Sequence, residues 1–151
     1  MPSWCWGATM PEVIFRHIDE LPWHEVRAQQ HGDRRAAVNL RFLEMSPRRT
    51  VIYTRYDPGM VLERHGHASD HVIFILEGSL LVGDRWCSPG TMVLLEHGAA
   101  FGPLEAGPDG TLLIEFYTGD PSPVPEDRDG FESLLEARGI TPIITRLESE
   151  A

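Results

Sequence analysis

The chain has 151 residues, a length suited to one domain with its own core, and 42% of them are hydrophobic. A formal net charge of −10 argues against nucleic acid or an anionic membrane surface as the main partner, and no apolar run approaches the ~20 residues that span a bilayer. Two cysteines, Cys5 and Cys87, are too few for a disulfide framework and fit a reducing cytosol, while 12 prolines and 14 glycines favour turns and short strands over long helices.

The opening Met1-Pro2-Ser3-Trp4-Cys5-Trp6-Gly7 lacks a basic stretch followed by an apolar one, so it does not have the pattern of a signal peptide. Met10 is an alternative start to Met1. Residues 11–16 have the composition of a short strand. Asp19-Glu20-Leu21-Pro22-Trp23 forms a turn, entering one helical turn through Glu25-Val26-Arg27, with Trp23 as a packing anchor. Residues 29–35 are polar and suggest a loop. His17, His24 and His31 are isolated, as surface or packing histidines usually are.

From Val38 onward the pattern is β. Residues 40–45 alternate in part, and residues 50–56 are rich in β-branched and aromatic side chains. Asp57-Pro58-Gly59 is a turn signal. Residues 60–67 form the next strand. Residues 72–76 are apolar on both faces, which suits a strand covered on both sides. Glu77-Gly78 bends that strand, Ser79-Leu80-Leu81-Val82 continues it, and Gly83-Asp84 turns. Cys87 lies in a turn as a structural thiol.

Residues 91–95 form another strand, and residues 96–99 a turn. Gly107-Pro108-Asp109-Gly110 is a tight turn before a strand over residues 111–117. Pro121-Ser122-Pro123-Val124-Pro125 ends the β region. Asp129 caps a short helix whose Phe131, Leu134 and Leu135 share one face, and Gly139 stops it. That helix packs on the outside of the β body, and the tail over residues 148–151 is loose. The chain divides into a leader, short strand and loop over 1–37, a barrel over 38–118, and a Pro-rich linker, helix and tail over 119–151. Short strands punctuated by Gly and Pro, with one terminal helix, indicate an all-β sandwich or barrel.

Chemistry concentrates in His65-Gly66-His67-Ala68-Ser69-Asp70-His71. In an extended chain side chains i and i+2 share a face, so His65 and His67 point one way and Gly66 the other. Ala68-Ser69-Asp70 is short enough to be a turn, which returns His71 beside the pair. Three imidazoles so placed can converge on one ion at roughly 2.0–2.1 Å. The alternative is a polar loop in which histidines happen to cluster.

These residues resemble the cupin superfamily, in its small single-domain RmlC-like form. Gly59, His65, His67 and Gly78 match its first motif, with His71 at the glutamate position. Gly83, Pro89 and Gly90 fit a weaker second motif. At the later turn Gly98 is kept, Glu96 stands for a proline, and Phe101 for the histidine that would ligate. The resemblance covers about residues 38–118. It implies a double-stranded β-helix, or jelly-roll barrel, often a homodimer, with a divalent metal at the floor of a pocket. Carried over, the ligands are His65, His67 and His71, and Phe101 makes an apolar wall beside the ion. A three-histidine face suits Fe(II), Zn(II), Ni(II) or Cu(II). His97, four residues before the lost ligand position, points elsewhere.

Further lining residues follow from alternation. Val51, Tyr53 and Arg55 share one face of their strand, and Ile52, Thr54 and Tyr56 the other. Tyr53 with Arg55 would recognise an anionic substrate, or Arg55 lies on the outer face paired with an acid. Glu115 faces the interior as a base or as a partner to a ligand histidine, or it is solvated. Asp70 is a turn residue or a histidine partner. The expected function is a metal-dependent cytoplasmic enzyme acting on a small organic molecule, dioxygenase-like or a lyase or isomerase. The alternative is a non-catalytic small-molecule-binding or sensor cupin.

Overall fold

The computed structural model describes residues 10–144. After a single 3-10 turn (Ile18–Glu20), twelve strands and one α-helix follow in order: β1 (His24–His31), β2 (Arg34–Ser46), β3 (Arg49–Tyr56), β4 (Val61–Leu62), β5 (His65–Gly66), β6 (His71–Val82), β7 (Arg85–Cys87), β8 (Met92–Leu95), β9 (Ala100–Phe101), β10 (Leu104–Tyr117), β11 (Val124–Pro125), α1 (Arg128–Arg138) and β12 (Ile140–Ile143). A nine-stranded antiparallel sheet runs β12-β1-β2-β3-β10-β6-β7, with β4 on β10 and β8 on β6, and faces a three-stranded sheet β11-β5-β9. This is an all-β jelly roll with one short helix, as expected. No helix among the described residues is long and apolar enough to cross a membrane.

Alternation sets the core. On β6 the side chains of His71, Ile73 and Ile75 point inward and are buried, whereas Phe74 and Leu76 point outward and are 40% and 39% exposed. The expectation that this strand is covered on both faces therefore fails for the chain by itself. Gly78, at φ 74°, shifts the β6–β10 register. Its hydrogen is needed, because a Cβ would collide with the Gly110 carbonyl oxygen. Leu80, Leu104 and Leu113 then complete the core with Ile73 and Ile75.

Several local expectations are corrected. Residues 11–16 form no strand, for they find no partner, and Val13 and Phe15 stand exposed. Residues 25–27 are not helical, and residues 29–31 and 34–35 are not loop: β1 and β2 make a hairpin across Gly32-Asp33. Gln29 tolerates burial because its amide bonds both backbone groups of Val61, accepting from the N–H at 3.1 Å and donating to the C=O at 2.5 Å. Residues 60–67 are two short strands, β4 and β5, not one. Residues 107–110 lie within β10 as a bulge between Ala106 and Thr111, and Cys87 is a buried thiol on β7 rather than in a turn.

The β region does not end at Pro125. β11 pairs with β5, and β12 with β1, so the sheets extend on both sides of residues 38–118. The helix cap is Asp127, whose carboxylate accepts from the Gly130 N–H at 3.0 Å, not Asp129. Gly139 ends the helix in the left-handed conformation as expected. Leu135, with Phe131 and Leu134, packs on Val61 and Ile140. The tail over 148–151, Cys5 and the opening residues lie outside the described part.

Candidate metal-binding cavity

β5 carries His65, and one residue past its end stands His67, which shares the face of His65. Gly66 between them points at the neighbouring strand β9, where a Cβ would run into the Ala99 carbonyl oxygen. The glycine thus lets β5 and β9 pair closely and sets both imidazoles on the opposite side. The bend at 68–70 is pinned by Ser69, whose Oγ accepts from the N–H groups of Thr118 (3.0 Å) and Gly119 (2.8 Å). Asp70 serves the turn: its carboxylate accepts from the His97 backbone N–H at 2.9 Å, and His97 itself is exposed.

His71 opens β6 directly opposite Tyr117 of β10. A cross-strand pair faces the same side, and the two rings stack with centroids 4.0 Å apart and planes 13° from parallel. Ring centroids of His65 and His67 lie 5.0 Å apart, and those of His67 and His71 4.8 Å, both nearly edge to face. Phe101 pairs with His65 across β5–β9, and its ring lies 5.2 Å from His65 and 5.7 Å from His71.

The hydrogen bonds assign roles to the ring nitrogens. His65 Nδ1 lies 2.8 Å from the Glu63 carbonyl and His67 Nδ1 3.1 Å from the Ser122 carbonyl. A carbonyl only accepts, so each Nδ1 carries the proton and each Nε2 a lone pair. His67 Nε2 is buried without a hydrogen-bond partner. His71 differs: its Nε2 lies 3.1 Å from Glu115 Oε1, and its Nδ1 is the buried unpartnered atom. Among the described residues no three His, Cys, Asp or Glu side chains are posed to close on one ion. The structure gathers the three rings, then, but Glu115 engages the third.

Glu115 is buried at the centre of this network. Besides His71, it accepts from Thr54 Oγ1 at 2.6 Å and Tyr117 OH at 3.2 Å. Burial alone would raise its pKa, but bonding to His71, Thr54 and Tyr117 outweighs that and holds it below the usual value. Burial pushes the Tyr117 hydroxyl well up, reinforced by the Glu115 charge, so it stays a donor. Burial is also the largest cause of the lowered pKa of His65 and of His67, the latter brought down to about 4 with help from neighbouring histidines.

A cavity of about 420 Å³ adjoins these groups. His65, His67, Glu115, Tyr117 and Tyr56 line it on one side. Its other walls are largely apolar: Val38, Leu40 and Ile52 from the sheet, Met60 just before β4, and Phe131, Leu135 and Ile143 from α1 and β12 across it. Arg27 and Gln29 add polar atoms from β1.

Of the residues expected around the site, Phe101 and Glu115 are beside the histidines. Tyr53 and Arg55 are not. They lie on the outer face of β3 with Trp23, whose ring centroid is 5.7 Å from the Tyr53 ring and 4.5 Å from the Arg55 guanidinium carbon. The inner face of β3 instead offers Ile52, Thr54 and Tyr56. Tyr117, Thr54 and Tyr56 were not anticipated. Tyr117 was legible two residues beyond Glu115 and so on its face; Thr54 and Tyr56 required the choice of the inward face of β3.

The spacing of two ring pairs, though not the aim of their nitrogens, is that of ligands on one divalent ion. An ion ~2.0–2.1 Å from an imidazole nitrogen lies ~3.2 Å from the ring centroid, so two ligands at roughly 90–105° would hold their centroids ~4.5–5.1 Å apart. The observed 5.0 and 4.8 Å fall in that range.

Residues 11–118 match the family model of the ChrR cupin-like domain. No curated protein matches the chain. Among solved structures, the polyketide cyclase RemF from Streptomyces resistomycificus is similar with a TM-score of 0.61 and 19% identity, over 86% of this chain and 96% of that one. An RmlC-like cupin from Shewanella frigidimarina gives 0.57 and 15%, over 80% and 96%. KdgF from Halomonas sp. gives 0.55 and 22%, over 70% and 94%.

Proposed function

The chain belongs to the ChrR cupin-like domain family, and on that premise we propose that it is a metal-dependent enzyme acting on a small organic molecule, dioxygenase-like in its chemistry. The observation that carries this reading is the pair His65 and His67: both Nδ1 protons are taken by carbonyls, and the His67 Nε2 is buried with nothing to bond. Burying an unpartnered nitrogen is costly unless something else satisfies it. A divalent ion, Fe(II), Zn(II) or Ni(II), is the partner that suits a bare imidazole lone pair.

In this reading His65 and His67 hold the ion and His71 is the third ligand. Its Nδ1 is free for that purpose while Glu115 fixes the ring through Nε2, as carboxylates commonly do for ligating histidines. When bound, the ion would supply Lewis-acid chemistry or, as Fe(II), redox chemistry. Phe101, opposite His65, keeps that side of the site apolar. The cavity walls favour a ligand with an apolar body and oxygen atoms at the histidine end. Glu115 and Tyr117 could hold or accept a proton there. The polyketide cyclase named above lends general support to small-molecule chemistry on this fold. A reducing cytosol is the compartment that suits the free thiol of Cys87.

The test is elemental analysis of protein purified without added metal, beside His65→Ala and His71→Ala. Stoichiometric metal lost in both supports the reading, and the metal's identity separates redox from non-redox chemistry. A metal-replete His65→Ala protein with intact activity ends it. One observation favours the second reading, a non-catalytic binding or sensor cupin: Phe101 occupies the place of a ligand. Tight binding of small apolar oxygen-bearing compounds without turnover by the metal-loaded protein would support that alternative.

A further inference from the structure

We propose that Arg27, at the mouth of the histidine cavity, selects a ligand that carries a carboxylate on an apolar body. The carboxylate sits on the guanidinium, and the body runs along the cavity walls toward His65 and His67. What happens to the ligand at the histidine end rests on the function proposed above; its selection by Arg27 does not.

β1 turns Arg27 inward. It lies two residues before Gln29, whose amide reaches in to Val61, so the two side chains share a face of the strand. The registers set it in one row with Val38, Tyr56 and Thr111 across β2, β3 and β10, all three of them buried. Pairing slips between Glu25 and Arg27, and Val26, the extra residue of this bulge, borders the cavity too. Arg27 lines the cavity yet is exposed, which puts it where the cavity meets solvent. Arg55, the arginine that sequence alone offered for an anionic substrate, lies over Trp23 on the outer face instead.

Charge is divided along the cavity. The row of Arg27 and the row of Tyr117 and His71 are separated on β10 by the stretch from Thr111 to Tyr117, about 20 Å at ~3.3 Å per residue. Among the described residues the acids on the walls are Glu63 and Glu115. Both belong to the histidine end: the Glu63 carbonyl accepts from His65, and Glu115 holds His71. Tyr56 feels both ends, for burial and the Glu115 charge push its hydroxyl pKa up while the Arg27 charge opposes them. In the proposed metal site the two carboxylates offset the charge of a divalent ion, and Arg27 adds a positive charge apart from them. A guanidinium has five N–H donors in a planar fork, so it takes a carboxylate bidentately while serving a further partner.

Between the two ends the walls are apolar, with Val38, Leu40, Ile52 and Phe131 among them. At ~30 Å³ per water-sized group, an acid of about ten non-hydrogen atoms fills about 300 Å³, which a cavity of about 420 Å³ accommodates. Octanoate has that size, and octanol and octylamine share its chain with a neutral or a positive head.

Calorimetric titration of the full chain, chelator-treated to keep the carboxylate off any metal, tests this. Octanoate should bind wild type at least about tenfold more tightly than octanol or octylamine. Arg27→Gln should weaken octanoate by about tenfold and leave octanol unchanged. Arg27→Lys, which keeps the charge without the fork, should fall between. Comparing the three probes on wild type needs no substitution and stands even where a variant fails to fold. Equal binding of octanoate and octanol, no binding of octanoate, or a folded Arg27→Gln protein with unchanged octanoate affinity each overturns the proposal. Zinc-loaded protein separates it from the metal reading. Octanoate affinity that depends on His65 and not on Arg27 overturns the role of Arg27 and leaves the metal site standing. A preference for octanoate in protein that takes up no zinc keeps the role of Arg27 and ends the metal reading.

Discussion

Glu115 offers the sharpest test of how the site is held, because three buried donors converge on one carboxylate. Thr54, His71 and Tyr117 reach it at 2.6, 3.1 and 3.2 Å. Glu115→Ala leaves all three without an acceptor. An orphaned buried donor costs about 1–3 kcal/mol; Tyr117 borders the adjoining cavity and the space left by the truncated side chain can admit water, so the lower end applies and the sum is about 3–4 kcal/mol. For a chain of this length each kcal/mol moves the thermal midpoint by roughly 2–4 °C. A fall of roughly 6–16 °C follows. Glu115→Gln keeps one oxygen for His71 and Tyr117, and its amide can donate to the Thr54 hydroxyl. Only the charge-assisted part of the bonds is lost, about 1 kcal/mol and a few degrees. In the proposed metal site the same Gln variant loses the carboxylate that fixes His71, so metal affinity should fall by about 10–100-fold. Thermal melts of chelator-treated protein read the first effect, and calorimetric zinc titration reads the second. An alanine variant melting within 2 °C of wild type would refute the reasoning, since the three donors would then be satisfied without the carboxylate.

Other outcomes follow from the same geometry. Gly66→Ala puts a methyl against the Ala99 carbonyl oxygen, so β5 must leave β9; stability should drop by about 1–3 kcal/mol in denaturant titration, and metal binding should weaken with it because His65 lies on β5 and His67 directly follows it. His67 has its pKa lowered from 6.5 to about 4, so between those values the unfolded chain takes a proton that the folded chain refuses. Stability due to this group is therefore present above pH 6.5 and lost as pH falls toward 4. In melts of chelator-treated protein, His67→Gln should show a shallower decline over that window, and parallel slopes would contradict the assignment. Phe101→His places an imidazole opposite His65, and in the proposed site it should tighten metal binding by at least about tenfold, or 1.4 kcal/mol, in competition with a chelator.

Strands could be read directly where composition favours them, but not which of their faces turns inward. Residues 50–56 and 72–76 were legible from β-branched, aromatic and apolar composition, and the alternation of β3 and β6 appears only in their burial. β1 was hidden because burial there is solved by a tertiary contact: Gln29 is polar in sequence but spends both amide groups on Val61, 32 residues away. The strand expected at 11–16 failed for the opposite reason, having β-branched residues and no neighbour to pair with. Residues 107–110 have turn composition, yet β10 absorbs them as a bulge because β6 and β4 hold its two ends. In each case the local preference was real and the long-range pairing decided.

The site divides along the same line. That His65 and His67 share a face is a property of three consecutive residues, and Gly66 as the spacer is explained by the Ala99 carbonyl one strand away. The position of the His71 ring needed only a turn of three residues. Which of its nitrogens is free depends on Glu115, 44 residues later, and on the register that sets Tyr117 opposite His71 and Glu115 two residues before it. Local sequence could gather the imidazoles but could not assign their protons. Those assignments govern the chemistry, since a nitrogen bonded through its proton to a carbonyl or a carboxylate turns the other nitrogen into the ligand. The carboxylate at 115 is thus as much a part of the three-histidine arrangement as the histidines, and Glu115→Gln and His71→Ala should perturb metal binding in the same direction.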